Sequence, residues 1–170
     1  MIHTEAWHRE ADSLEKELEG LQRKQLDAMT EYVRLLARSG KLKDYPHKSL
    51  AALAHFGVLR GMDLRGAYLN RVDLSKCDLR GTDLSGVDLR GADLTEADLR
   101  GATLKKTSLS QARLYLTNFE GANLQGAFLQ DAEFGNTRME GADIRGAHYD
   151  WEDLEKMEGE PISGYASEDQ

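Results

Sequence analysis

A five-residue rhythm constrains this sequence more than any other feature. Leucine returns at every fifth position through the segment DLRGTDLSGVDLRGADLTEADLRG, residues 78–101. With one large apolar residue of each pentad taken as its anchor, the register runs from Leu59 to Tyr149 through nineteen anchors without an insertion. A period of five fits neither an α-helix nor a β-strand, whose side chains repeat every ~3.6 and ~2 residues. The rhythm therefore predicts a stack of short repeats.

Each pentad combines a large anchor with a small residue and a turn. Alanine lies two residues before the anchor in ten of nineteen pentads, and aspartate or asparagine precedes the anchor in ten. Glycine follows two residues later, again in ten. Such a unit cannot enclose a core alone, so units must stack. Gly, Asp and Asn suit the turns, and four short sides closing a square would place successive coils about 4.8 Å apart.

Stacking at this period predicts vertical columns of buried side chains. A coil of four pentads brings each anchor under the anchor twenty residues earlier. Cys77 falls in a column of small inward residues, where a buried packing role is favoured over a reactive thiol. Two of the expected anchor columns are Leu59, Leu79, Leu99, Phe119 and Met139, and Leu74, Leu94, Leu114 and Phe134.

The pentads resemble the repeats of the pentapeptide repeat family, whose consensus is A(D/N)LXX. This consensus is legible as ADLTE at 92–96, ADLRG at 97–101, ANLQG at 122–126 and ADIRG at 142–146. The resemblance extends over residues 57–151. It implies a mainly β solenoid, a right-handed quadrilateral β-helix, here with N-terminal α-helices, and a bacterial origin.

Four segments follow from the pattern. We expect a long amphipathic helix and coiled coil at 1–40, a linker and N-terminal capping helix at 41–56, the β-helix at 57–151, and a C-terminal cap with an acidic disordered tail at 152–170. Caps fit a solenoid, because its ends otherwise expose core side chains and unpaired strand edges. The expected cap residues are Leu50, Leu53, Ala54 and Phe56 at the first coil, and Trp151, Leu154 and Met157 at the last.

Residues 4–39 carry two apolar stripes at helical spacing. The first follows the heptad spacing that is typical of coiled coils, and we expect it to join copies of the chain into a homo-oligomer. The second, which includes Leu26 and Val33, widens the apolar face in the later half. The pattern leaves open whether the helix pairs between chains or packs on its own β-helix. The expected oligomerisation residues are Leu14, Leu18, Leu21, Tyr32 and Leu35.

Positions on either side of each anchor should face outward. The triplet Asp-Leu-Arg, as at 78–80 and 98–100, then places a carboxylate and a guanidinium on the same face. Like charges stack between coils, and opposite pairs, each worth under about 1 kcal/mol when exposed, should offset their repulsion. We interpret these carboxylates as surface ladders and not as catalytic pairs.

Exposed apolar residues interrupt the charged surface. Tyr68 and Phe128 precede their anchors on one predicted face, with His148 next to Phe128, whereas Tyr115 and Leu116 lie on the next face and corner. Exposed apolar clusters often mark interaction sites. Two explanations remain open, namely cover by the N-terminal helix and contact with a protein partner of unknown identity. These five side chains are the candidate partner-binding residues.

The sequence contains no recognisable motif of a catalytic or metal-binding site. Its five histidines are scattered, and HExxH, CxxC, GxSxG and a phosphate-binding glycine loop are missing. We therefore expect no enzymatic activity, no cofactor and no metal. No apolar run reaches the ~20 residues of a membrane span, and the first residues lack a signal-peptide pattern. The lone Cys77 suits a reducing compartment, which favours the cytoplasm.

Two binding functions compete. The first is a protein–protein interaction or scaffold module, a rigid β-helical prism presented by a helical oligomerisation arm. The second follows from the resemblance, because family members of the quinolone-resistance type bind gyrase as mimics of DNA. Against it, residues 57–151 hold twelve basic and fourteen acidic side chains, a net charge of −2 that is far below that of a duplex. Direct nucleic-acid binding is not expected, since aspartates flank the arginines. The candidate mimic face is Asp63, Asp73, Asp83, Asp88 and Asp93.

Overall fold

The structure, a computed structural model, describes a helical segment and the whole repeat region. The described residues are 20, 22–28, 30–33, 35, 51 and 53–161, with the side chains of Trp151 and Leu154 left out. Helical residues lie between 20 and 35 and between 51 and 55. The remaining elements are β1 (Arg113–Tyr115), β2 (Glu133–Gly135), β3 (Thr137–Arg138), a 3₁₀ helix (Trp151–Lys156) and β4 (Met157–Glu158).

Parallel pairing between residues twenty apart builds the β-helix. One series of bridges runs from Asp63 to Asp83 and Thr103, and β1 pairs with β2 in the register Leu114 to Phe134. Backbone hydrogen bonds link the coils at each step, for example from the Leu84 nitrogen to the Thr103 oxygen at 2.7 Å. Most rungs are single bridges because each side is extended for few residues before it turns. The predicted coil of four pentads is confirmed.

A tight turn ends each side of the coil. The Met62 nitrogen donates to the Leu59 oxygen at 3.1 Å, and Gly61 between them has a φ of 68°. A positive φ at this position is the type II arrangement, in which glycine is favoured. Eight turns use another residue at the equivalent place, namely Arg71, Lys76, Glu96, Lys106, Gln111, Leu116, Asp131 and Asn136, with φ between 50° and 60°.

The anchors and the small residues form one continuous core. Leu59, Leu79 and Leu99 are at most 1% exposed, and the other members of the two predicted columns are also buried. Cys77 is buried as predicted. Burial raises the pKa of its thiol to about 12, which keeps it protonated near neutral pH. Inward threonines remain satisfied, since Thr117 Oγ1 donates to the Leu94 oxygen at 2.8 Å.

Two helical pieces close the first coil. Leu53 and Ala54 are buried in the core as expected, but Phe56 is 67% exposed, so its predicted capping role is wrong. A turn begins directly after the helical residues, where the Phe56 nitrogen donates to the Leu53 oxygen, and the ring is left outside. Leu50 lies outside the described residues. Val33, on the earlier helical segment, is fully buried in the same core.

The last coil continues into a short extra rung. β3 pairs with β4 in parallel, and the Gly141 nitrogen donates to the Glu160 oxygen at 3.0 Å. Met157 is partly buried against the core, in keeping with its predicted capping role. The chain is thus hydrogen-bonded through Glu160, beyond the point at which the sequence suggested a disordered tail. Residues 162–170 lie outside the described part of the chain.

Candidate interaction surfaces

Aspartate–arginine pairs form ladders on the walls of the β-helix. In the triplet 78–80, Arg80 donates from Nε to Asp78 Oδ1 at 2.8 Å and from Nη2 to Oδ2 at 2.6 Å. The Arg80 backbone nitrogen also donates to Oδ1, so the carboxylate fixes the turn that follows the anchor. Arg80 further approaches Asp98 of the next coil at 3.5 Å. The same paired triplets recur at 63–65, 88–90, 98–100 and 143–145.

The hydrogen bonds from arginine keep these aspartates in their charged form and balance that charge locally. The side-chain hydrogen bond from Arg100 holds the pKa of Asp98 below its usual range, even though partial burial opposes the shift. Asp143 shows the same lowering, caused first by the side-chain hydrogen bond from Arg145 and assisted by Gln125. These carboxylates stay ionised and partnered. They serve as structural ladders, as the sequence indicated.

The predicted acidic face is not one face. Asp63 and Asp83 stack in one series of bridges and Asp73 and Asp93 in another, whereas Asp88 lies between Tyr68 and Ser108 in a third. Successive pentads occupy successive sides of the coil, so neighbouring aspartates in the sequence point in different directions. The prediction of a single acidic face is wrong for this reason.

An aromatic wall forms where the sequence placed it. Tyr68, Asp88, Ser108, Phe128 and His148 pair in series, so they share one side of the β-helix. The rings of Phe128 and His148 stack with centroids 4.9 Å apart and an interplanar angle of 5°. Tyr68 and Phe128 are 59% and 40% exposed, so the described residues leave much of both rings uncovered.

The Tyr115 patch, defined as Tyr115 and Leu116, lies on the next side and its corner. Tyr115 is 43% exposed and Leu116 is 52% exposed. The Tyr115 ring lies over Gly135, where a Cβ atom would stand 2.5 Å from its Cδ1. Leu116 occupies a turn position with a φ of 57°. The period of twenty makes Gly135 a neighbour of Tyr115, but it gives no sign that the ring packs over the glycine.

The helical arm uses its two stripes differently. Val33 is fully buried and Leu26 is partly buried against the core, so the second stripe packs on the β-helix of its own chain. Tyr32 and Leu35, on the first stripe, are 54% and 60% exposed. Leu14, Leu18 and Leu21, the other predicted oligomerisation residues, lie outside the described residues.

The described part of the chain contains neither a metal site nor a membrane-spanning helix. Within it, no three His, Cys, Asp or Glu side chains are arranged to hold a metal ion. None of the helices in that part of the chain is long and apolar enough to span a bilayer.

A family model settles the classification of the chain. The model for pentapeptide repeats matches eight copies, at residues 55–86, 82–121 and 112–148, which is more than half of the chain. The chain belongs to the pentapeptide repeat family. The parallel pairing of residues twenty apart, four pentads per coil, agrees with the quadrilateral β-helix that membership of this family implies.

Solved structures of pentapeptide repeat proteins resemble this chain. Rfr23 from the cyanobacterium Cyanothece 51142 is 31% identical over 58% of this chain and 60% of its own length, with a TM-score of 0.42. The protein alr5209 from Nostoc PCC 7120 is 28% identical, with 66% of this chain and 94% of that chain covered and a TM-score of 0.46. QnrB1, a plasmid-mediated fluoroquinolone resistance protein, is 21% identical over 56% of each chain, with a TM-score of 0.41. No curated protein sequence matches this chain.

Proposed function

We propose that this pentapeptide repeat protein is a non-enzymatic protein–protein interaction module, a rigid prism whose helical arm joins copies of the chain. One observation carries the proposal: walls built from paired charges expose large apolar side chains at the aromatic wall and at the Tyr115 patch. Apolar side chains held on a rigid surface suit contact with another protein, since their burial on binding is favourable and little order is lost.

The arm supports an oligomeric form. Val33 and Leu26 of the second stripe pack in or against the core of the same chain. Leu35 on the first stripe stays exposed. The first stripe is the one with heptad spacing, and a second copy of the chain is the partner that such spacing suits. Several prisms on one arm would raise the avidity of weak contacts at their walls. A cytoplasmic location belongs to the same proposal and rests on the single cysteine.

Light scattering on the full-length chain tests the arm. Leu35→Glu places a charge in the exposed stripe and should lower the measured mass to that of a monomer. Gln22→Glu, on an exposed helical position outside the stripe, is the matched control and should leave the mass unchanged. A monomeric mass for the unaltered chain at high concentration would refute the oligomeric arm.

Gyrase binding as a DNA mimic is the second candidate, favoured by the structural likeness to QnrB1 alone. At 21% identity that likeness concerns the fold. The distribution of charge weighs against mimicry, because the aspartates lie on three sides and many are bound to arginine. We expect no effect of the purified protein on supercoiling by gyrase at micromolar concentration. Inhibition in that assay would replace the scaffold proposal with the mimic.

A further inference from the structure

Of the two exposed apolar surfaces, the Tyr115 patch has the features of a prepared contact site. Its ring packs on the next coil at Gly135, where the absence of a side chain leaves the space that the ring occupies. The Leu116 backbone nitrogen donates to the Gly135 oxygen at 2.8 Å, which fixes the neighbouring side chain on the corner. Both apolar groups are therefore presented in defined positions.

Leu116 is doubly unfavourable where it stands. A left-handed backbone costs a non-glycine residue about 1–2 kcal/mol, and glycine occupies most turn positions of this type here. Because Leu116 is 52% exposed, the burial of its side chain offsets only part of that cost. Strained residues that the fold does not require often belong to functional sites. At the Tyr115 patch, strain and exposure fall on the same residue.

The surroundings of the Tyr115 patch are acidic. β1 lies on β2, and β2 contacts the 3₁₀ helix Trp151–Lys156, so the cap continues this side of the β-helix. This helix, residues 151–156, holds three acidic side chains and one basic one. That one, Lys156, lies within electrostatic range of Tyr115 and is bound to Asp153 at 2.9 Å. Glu96 lies one coil before the patch and Glu133 one coil after it, and each is paired with a basic side chain, Lys76 or Arg113.

We propose that the Tyr115 patch docks a basic amphipathic segment of another protein, whose apolar side chain covers Tyr115 and Leu116 while its Lys or Arg residues face the acidic cap. This inference rests on the proposed interaction function and gives it a site and a class of partner. The first nineteen residues of the chain fit poorly as this segment, because they hold six acidic and two basic side chains. A second copy, with a net charge of −8, is disfavoured for the same reason.

A peptide-display selection tests this proposal on the full-length protein. The probe is a random library of peptides of about 16 residues, selected on the unaltered chain and depleted on Leu116→Asn. Asparagine tolerates a positive φ, so this variant removes the apolar group and keeps the turn. Gln111→Asn, at another turn with a φ of 60°, is the matched control. The peptides that survive depletion should combine an aromatic or aliphatic residue with Lys or Arg.

Binding of a recovered peptide then separates the outcomes. Leu116→Asn and Tyr115→Ser should each weaken binding at least about tenfold, and Gln111→Asn should not. Raising the salt from about 0.05 to 0.3 M should also weaken it, since exposed charges are screened. The proposed site is wrong if the recovered peptides bind Leu116→Asn as well as the unaltered chain, or if they are acidic. It is also wrong if the selection recovers no peptide. If they depend instead on Phe128, this inference fails while the interaction function stands.

Discussion

The Tyr115 ring lies directly over Gly135, one coil away. A Cβ atom on Gly135 would stand 2.5 Å from Cδ1 and 2.9 Å from Cε1 of the ring. The two residues pair in the parallel ladder between β1 and β2. Glycine is required here for space, since the left-handed turn that explains other glycines does not occur at this position.

Gly135→Ala should therefore displace the Tyr115 ring and lower the free energy of unfolding by about 1–3 kcal/mol. Replacing the ring first removes the clash, so Gly135→Ala should cost at least about 1 kcal/mol less in a Tyr115→Ala background. Urea denaturation of the four chains measures this coupling. Additive effects of the two substitutions would contradict the packing described here.

Turn position 116 carries backbone strain that glycine would relieve. Leu116→Gly should raise the free energy of unfolding by about 0.5–1 kcal/mol, because the relief of a left-handed leucine exceeds the added flexibility of the unfolded chain. Gly101→Ala makes the reverse change at a turn with a φ of 64° and open space for a Cβ atom. Gly101→Ala should lower the free energy of unfolding by about 1 kcal/mol. If both variants shift the melting temperature in the same direction, the backbone at position 116 is not strained.

The arginine-bound carboxylates make stability depend on acid pH. The side-chain hydrogen bond from Arg145 keeps the pKa of Asp143 lower in the folded chain than in the unfolded one. Its contribution is thus present above the unfolded pKa, near 3.9, and is lost as the pH falls toward the folded pKa. Urea denaturation should show a steady free energy of unfolding from about pH 7 to 5 and a decline below about pH 4.

The variant Asp143→Asn measures how much one aspartate–arginine pair contributes to this decline in stability. The variant should lose about 1 kcal/mol less than the unaltered chain between about pH 5 and 2.5, because the pair is partly exposed. Asp131→Asn, which removes a carboxylate from an exposed turn, is the matched control. An identical acid dependence for both variants would show that Asp143 adds nothing.

Cys77 should be inert in the folded protein. Its pKa of about 12 leaves little thiolate at pH 8, and its side chain is buried. An aromatic disulfide reagent should react at least about 100-fold more slowly with the native chain than in strong denaturant. Leu116→Cys in a Cys77→Ala background supplies an exposed thiol for comparison. Rapid reaction of native Cys77 would mean that the coil opens far more readily than its hydrogen bonds indicate.

The surface shows where prediction from the sequence succeeded and where it failed. The stack of Phe128 on His148 follows from the period alone, since residues twenty apart are neighbours. The same rule separates Asp63, Asp73 and Asp88 onto three sides, which a reading along the sequence overlooked. The exposure of Phe56 depends on how the chain leaves the short helix, and no repeat constrains that step.

The sequence by itself determined the coil, its columns and its turns, because the anchor and the small residue of each pentad must both be buried, and coils of four stacked pentads bury them. The tertiary structure decided what is not periodic. It assigned Val33 to the core and left Leu35 and Phe56 exposed. The N-terminal helices do not share the period of the β-helix. Their contacts therefore depend on shape complementarity, which a local sequence pattern does not reveal.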